Sequence, residues 1–304
     1  MLTNDIPYPT KPVRLIEPFG TGGGPDLIAR VVSRRLFEMW GQPVTVENHT
    51  GAGGSAAAAF VARLPADGHT LLVNSSAQAY RAALVNNPPY DPLEDFIPVA
   101  PLTSQPYVLV AGTIAVINTV GELVGLAKAK PRELKFGSAG VGTGTHVGAE
   151  KFNLEAGIQA IHVPGDTIPD AISNTIAGLT TYLITPVSYA LADIRAGRLR
   201  ALGVTTKKRS ALLAEVPTIS EAGVAGFDYP IWYGVWVRMG TPRRVVDQLA
   251  NDIARAVAAP DLGDSLARHG ADPIHMTQLE FARFVVSETE RAARTLQAAG
   301  IKPR

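Results

Sequence analysis

The residues of this chain that could do chemistry are glycines, hydroxyls and single histidines set at the ends of apolar runs. Pro18-Phe19-Gly20-Thr21-Gly22-Gly23-Gly24-Pro25-Asp26 places three consecutive glycines between an apolar run at 13–16 and a stretch with apolar residues at Ile28, Val32, Leu36 and Met39. The run reads as a buried strand, and the spacing after it as one face of a helix. Glycines at that junction leave backbone N–H groups bare where a helix N-terminus concentrates unsatisfied donors and partial positive charge. Such a turn can hold an anion, a carboxylate or a phosphate. The alternative is a sharp turn that needs only positive φ. Ser138-Ala139-Gly140-Val141-Gly142-Thr143-Gly144-Thr145-His146 repeats the arrangement ahead of a helix expected at 147–156. Ser75-Ser76 and Pro164-Gly165-Asp166-Thr167 add hydroxyl and N–H donors at two further strand ends, and Thr185 stands at a third.

These donors come without a nucleophile and its base. Phe136-Gly137-Ser138-Ala139-Gly140 has Phe where a Gly-x-Ser-x-Gly elbow has its first glycine, so a serine hydrolase is weakly supported. No Gly-x-x-x-x-Gly-Lys-Ser/Thr occurs, and Gly140-Val141-Gly142-Thr143-Gly144 does not complete Gly-x-Gly-x-x-Gly. The six histidines are scattered and no His-Glu-x-x-His exists, while the absence of cysteine excludes disulfides and thiolate metal sites. No metal and no cofactor is therefore expected. His146 and His162 are either ligand contacts or satisfied structural residues. Trp232, Tyr233 and Trp236 at strand spacing are assigned to the core, with Trp232 or Tyr233 reaching a cleft. An enzyme working with Ser138 or His146 is the competing class, and it lacks a visible nucleophile–base pair.

Elements must bring these turns together. The chain has 304 residues, 46% hydrophobic and 18% charged, with a net charge of +1, which suits two packed lobes and gives no sign of a nucleic-acid partner. The first hundred residues alternate strand, polar turn and helix: strands at 43–47 and 70–74, a helix at 56–63, a turn at Asp67-Gly68. That rhythm predicts a parallel sheet with helices on both faces and a ligand crevice at the carboxyl ends of its strands. Short strands are expected at 96–100 and 107–111. A capping box at Thr119-Val120-Gly121-Glu122 opens the second series, with strands at 134–137, 160–163, 180–184 and 199–204 and helices between them. After a long strand at 229–237 the remainder reads as helices at 242–258, 262–269 and 278–299. Those three helices need a sheet to cover, so the lobes are expected to be 1–104 with 226–304, and 105–225. The opening Met1-Leu2-Thr3-Asn4-Asp5 lacks the layout of a secretion leader, which leaves a cytoplasmic protein or a mature form without its leader.

Taken as a set, the motifs resemble one family. Tyr8-Pro9-Thr10-Lys11-Pro12-Val13-Arg14-Leu15, Gly22-Gly23-Gly24, Gly41-Gln42-Pro43-Val44, Glu47-Asn48 and Gly51-Ala52-Gly53-Gly54 come in order. Ala66-Asp67-Gly68-His69-Thr70-Leu71-Leu72, Pro89-Tyr90-Asp91-Pro92, Gly137-Ser138-Ala139-Gly140 with Gly142-Thr143, His162-Val163-Pro164, Arg200-Ala201-Leu202 and Val216-Pro217-Thr218 follow. The chain is similar, from about residue 6 to 301, to the Bug-type extracytoplasmic solute receptors of tripartite tricarboxylate transporters. The resemblance implies an α/β, two-lobe periplasmic-binding-protein fold with the ligand in the interlobe cleft. It implies a small carboxylate as ligand (a di- or tricarboxylate, an acidic amino acid or an aromatic acid), delivered to membrane permease subunits. It also implies a periplasmic address and a monomer. The ligand-binding residues it implies are Phe19, Gly20, Thr21, Gly22, Gly23, Gly24 and Asp26, then Ser75 and Ser76, then Ser138, Gly142, Thr143 and His146, and finally Pro164, Gly165, Asp166 and Thr185.

The chain departs from the family pattern on those loops. Gly20-Thr21 replaces a proline, Pro25 a threonine, Gly165-Asp166-Thr167 a Tyr-Lys-Gly, and Thr185 an aspartate. Exchanging a lysine for Asp166 reverses a charge, and losing the aspartate at Thr185 removes the usual partner of a ligand amino group. The expected ligand therefore keeps one carboxylate at the first turn and turns a hydroxyl, ring or neutral tail toward Asp166 and Thr185.

Overall fold

The computed structural model describes residues 7–18, 20–21, 24–51, 54–81, 89–268 and 270–301. Strands β1 (Val13–Glu17), β2 (Val44–Asn48) and β3 (Thr70–Ser75) alternate with helices α1 (Gly24–Trp40), α2 (Ser55–Val61) and α3 (Ala77–Arg81). β1 lies parallel between β2 and β3, with Leu15 opposite both Val46 and Leu71, and its apolar side chains are buried as the continuous run predicts.

β4 then runs unbroken over Phe96–Gly112, where two short strands are expected. Pro98, Pro101 and Pro106 read as breaks in the sequence. In the fold, register shifts against β9 (Pro230–Arg238) between Pro98 and Ala100, and again between Pro101 and Thr103, absorb the irregularity. The polar stretch thought to be a loop is sheet, with Thr103, Ser104 and Gln105 opposite Tyr233, Trp232 and Ile231.

The second series holds α4 (Val120–Ala129), β5 (Lys135–Ser138), α5 (Gly144–Ala156), β6 (Ile161–Pro164), α6 (Ile168–Ile176), β7 (Tyr182–Pro186), α7 (Val187–Arg195) and β8 (Leu199–Val204). Thr119 caps α4 by accepting from Glu122 N, but the Glu122 carboxylate accepts from Asn118 N, one residue short of a reciprocal box. After β9 come α8 (Arg243–Val257), α9 (Pro260–Arg268), the two-residue β10 (Asp272–Pro273) and α10 (Gln278–Ala298).

Strand order is β2-β1-β3-β9-β4-β7-β5-β6, with β10 and β8 also paired to β4. The sheet is mixed rather than parallel: β9 is antiparallel to β3 and β4, and β4 is antiparallel to β7 and β8. One strand thus serves two lobes, its residues 96–106 pairing β9 and its residues 107–112 pairing β7 and β8. Where the lobes meet, Pro106 stands opposite Pro230. Neither has an N–H to give to the ladder, so the sheet is least tied at the crossing.

The C-terminal helices cover the first lobe. α8 packs on α1 and β4, and α10 packs on β4 and α3 and reaches α5 in the second lobe. Trp232 and Trp236 of β9 pack against Phe281 and Phe284 of α10, with ring centroids 5.1–5.9 Å apart. Gly234 between them admits Phe281, whose Cζ would lie 2.4 Å from any Cβ there. Trp232 Nε1 donates to buried Glu288, which also pairs with Arg291. Among the described residues no helix is long and apolar enough to cross a membrane.

Candidate functional site

Helices α1, α5, α6 and α7 open on a cavity between the lobes, which the short α2 and α3 also border at Gly54 and Ala77. Its volume is about 720 Å³. The first lobe contributes Gly20, Thr21 and Pro25 at the start of α1, with Ser75 at the end of β3. The second contributes Thr143, Gly144 and Thr145 at the start of α5, Thr167, Ile168 and Pro169 at the start of α6, and Pro186 before α7. Each helix start brings N–H donors and partial positive charge to the same space. α5 begins at Gly144 rather than near residue 147, so its first donors, Gly144 and Thr145, belong to the cavity wall.

Part-buried side-chain networks stand behind the start of α1 and hold the turn before α5. Behind the first, Asn48 Nδ2 donates to Glu17 at 2.7 Å and to Asp26 at 2.9 Å, while Thr21 Oγ1 and Arg30 Nη2 reach Asn48 Oδ1 at 3.3 Å. Arg30 also pairs with Asp26 one helical turn away, at 2.9 Å. Asp26, taken as a ligand contact, is a buried brace for the turn and does not line the cavity. In the second turn, Gly140 and Gly142 have φ of +113° and +80°. Thr143 Oγ1 donates to Gly140 O, and Thr145 Oγ1 accepts from Ala139 N.

Of the expected contacts, Gly20, Thr21, Ser75, Thr143 and Asp166 line the cavity. Phe19, Gly22 and Gly23 lie outside the described residues, and Gly24 opens α1. Ser76, Ser138, Gly142, His146, Pro164, Gly165 and Thr185 do not line it. Thr185 is buried in β7 opposite Val108, and its neighbour Pro186 takes the cavity side. Tyr107, Tyr189 and Ile231, which the sequence did not single out, also line it, as do Thr50, Gly51 and Gly54 of the glycine-rich stretch that follows β2. Tyr233 is the aromatic of β9 that reaches the cleft, while Trp232 faces α10.

Two of the histidines stack on each other, His146 buried and His162 half-buried. His146 and His162 lie 3.9 Å apart at 16°, and the Phe136 ring lies nearly parallel to both, 4.9 Å from His162 and 6.2 Å from His146. His146 Nδ1 accepts from Gly142 N, which ties helix α5 to its own turn. Ser138 Oγ lies 2.6 Å from His162 Nε2. A nucleophile–base pair therefore exists where the sequence showed none. Ser138 is fully buried and off the cavity, and its hydroxyl also engages Gly140 on both sides, accepting from Gly140 N and donating to Gly140 O. Its geometry is that of a loop clamp.

Burial, then proximity to His146, lowers the His162 pKa from 6.5 to about 3. Below about pH 6.5 an unfolded chain takes up a proton that the folded ring refuses until about pH 3, so this group withdraws stability as pH falls through that window. For a half-buried ring partly screened by water, we expect a loss of about 1 kcal/mol between pH 7 and 5. Thermal melts across that range should fall more steeply for wild type than for His162→Gln. Parallel curves would contradict the assignment.

The family description that matches residues 28–301 is "Tripartite tricarboxylate transporter family receptor". The chain is 32% identical to Protein BugT of Bordetella pertussis over 97% of its own length and 91% of that protein's. It superposes on an R. palustris protein solved with adipate with a TM-score of 0.88 and 31% identity, covering 98% of this chain and 100% of that one. The periplasmic binding protein BugD gives a TM-score of 0.85 and 26% identity, again over 98% and 100%. The two-lobe fold, the glycine turns that open α1 and α5, and a likeness that runs nearly end to end agree: the chain belongs to the tripartite tricarboxylate transporter receptor family.

Proposed function

We propose that this protein captures a small carboxylate in the interlobe cavity, in the periplasm, and presents it to the membrane subunits of a tripartite tricarboxylate transporter, without chemical change and as a monomer. The observation that carries the reading is the convergence of α1, α5, α6 and α7 by their N-terminal ends on a cavity with no Lys, Arg or His among its described lining residues. An anion held there is held by backbone donors and hydroxyls, which bind and release without proton transfer. The adipate found with one structural relative is a ligand of that class. The periplasmic address follows the relative BugD. Capture without catalysis is supported by the placement of Ser138 and His162, the one pair suited to nucleophilic attack among the described residues, behind the wall of the cavity.

The test is thermal denaturation with a panel of mono-, di- and tricarboxylates and their amides. A carboxylate present at 100 times its Kd should add roughly 2.7 kcal/mol to the native state, and the matching amide nothing comparable. A panel that moves no melting transition, or amides that work as well as acids, would overturn the proposal. Product analysis after long incubation with any binding acid should return that acid unchanged.

A further inference from the structure

Resting on the carboxylate-receptor reading, we infer that this cleft selects a singly charged, ring-bearing carboxylate with a hydrogen-bond donor at its far end, in preference to di- and tricarboxylates. The charge around the cavity is the first ground. Asp166 is the one Asp or Glu among the described lining residues; it is exposed and has no ion pair among the described residues. Among the described lining residues there is no Lys, Arg or His to balance it. Behind the other wall, burial chiefly holds the Tyr189 and Tyr233 hydroxyls protonated, helped by Glu17 at Tyr189 and by Tyr189 and then Glu17 at Tyr233. The site therefore offers helix ends for one carboxylate and leaves a second one facing negative charge.

Asp166 also divides the helix ends into two kinds. It precedes Thr167, the N-cap of α6, whose side chain accepts from Asp170 N while its hydroxyl donates to the Asp170 carboxylate. Two aspartates at that terminus already answer its partial positive charge. α5 differs. Its N-cap Thr143 makes no side-chain cap bond, and its first turn contains no acid. α7 likewise starts without a side-chain cap or an acid in its first turn. The ligand carboxylate belongs at the α5 and α7 ends, since α1 also carries an acid, Asp26, in its first turn, and the end of the ligand at α6 must be neutral or a donor.

The walls set the body of the ligand. Tyr107 and Tyr233 are almost fully buried yet border the cavity, with Tyr189, Ile168, Ile231 and Pro186 around them. A volume of about 720 Å³ lies within the range of roughly 300–1,000 Å³ typical of small-molecule sites and leaves room for a ring. Three tyrosines and two isoleucines in the lining give a ring apolar and aromatic neighbours to pack against.

Titration calorimetry at fixed ionic strength tests this with 4-hydroxybenzoate and benzene-1,4-dicarboxylate, which differ only in the far group, beside adipate and citrate. Wild type should bind 4-hydroxybenzoate at least tenfold more tightly than benzene-1,4-dicarboxylate. Asp166→Asn should narrow that ratio to within threefold, chiefly by admitting the dianion, and Asp166→Lys should invert it. Equal or tighter binding of the dianion by wild type, or an unchanged ratio in both variants, overturns the inference. If adipate or citrate binds and neither ring acid does, the ligand class is wrong and the receptor reading stands. If no carboxylate binds, both fall.

Discussion

Tyr229→Ala is expected to destabilise the protein by about 3–5 kcal/mol, the range for deleting a fully packed aromatic, and to weaken carboxylate binding at least tenfold. Tyr229 sits where the lobes meet. Its ring stacks on Tyr107 at 5.5 Å and on Tyr80 at 6.3 Å, joining β4 to α3. It also lies beneath α5 so closely that a Cβ on Gly148 would meet its Cε1 at 2.5 Å. Its hydroxyl donates to Gly144 O at 3.0 Å, the first residue of α5. Removing the ring leaves a hole under the turn whose N–H groups border the cavity, so the site loses its shape along with its support. Tyr229→Phe keeps the packing and should cost only about 1 kcal/mol, the value of the lost hydrogen bond. Urea unfolding and calorimetry on the two variants measure both effects. A Tyr229→Ala protein within 1 kcal/mol of wild type, or a Phe variant as damaged as the Ala variant, would refute this account of the junction.

How far such a junction was legible follows from what each signal depends on. The turns at Gly20–Asp26 and Ser138–Thr143 were visible because glycine at the exit of an apolar run is a local property, and each does open a helix. The continuity of β4 was hidden, because three prolines in nine residues read locally as breaks while the bulges that accommodate them exist only against β9. The contact of Ser138 with His162 depends on β5 and β6 pairing in parallel with Phe136 opposite His162, a register that no motif encodes. Which residue of a strand end meets the cleft is the finest distinction. Thr185 and Pro186 are neighbours whose directions alternate, as are Trp232 and Tyr233, and a shift of one residue exchanges wall for core. Asp166 escaped that ambiguity by standing in a loop, where its placement depends on the helix that follows.

The second large effect concerns where the lobes divide. We place the C-terminal boundary of the second lobe at 229 rather than 225, and expect 105–229 to fold alone while 105–225 loses about 3 kcal/mol or more and 1–104 does not fold. Residues 224–229 pack with the second lobe. Val224 N donates to Ile219 O, and Phe227, fully buried, meets Phe152 of α5 edge-on at 6.1 Å with Lys151 over its ring. Tyr229 N donates to Thr205 O, and Thr205 Oγ1 returns a bond to Tyr229 O at 2.6 Å. Ending the fragment at 225 removes two buried aromatics from beneath α5, each worth about 3 kcal/mol or more. Fragment 1–104 fails for another reason. β3 loses β9, its neighbour from Leu72 opposite Trp236 to Ser75 opposite Tyr233, and β4 loses the same partner. With β9 and α10 go Trp232, Trp236 and Phe281, so the sheet edge and its apolar cover disappear together. Circular dichroism and amide-proton dispersion on the three fragments decide the matter. A cooperative unfolding transition from 1–104, or 105–225 as stable as 105–229, would show that the boundary lies elsewhere, because the contacts of Phe227 and Tyr229 would then not be what holds α5 to its lobe.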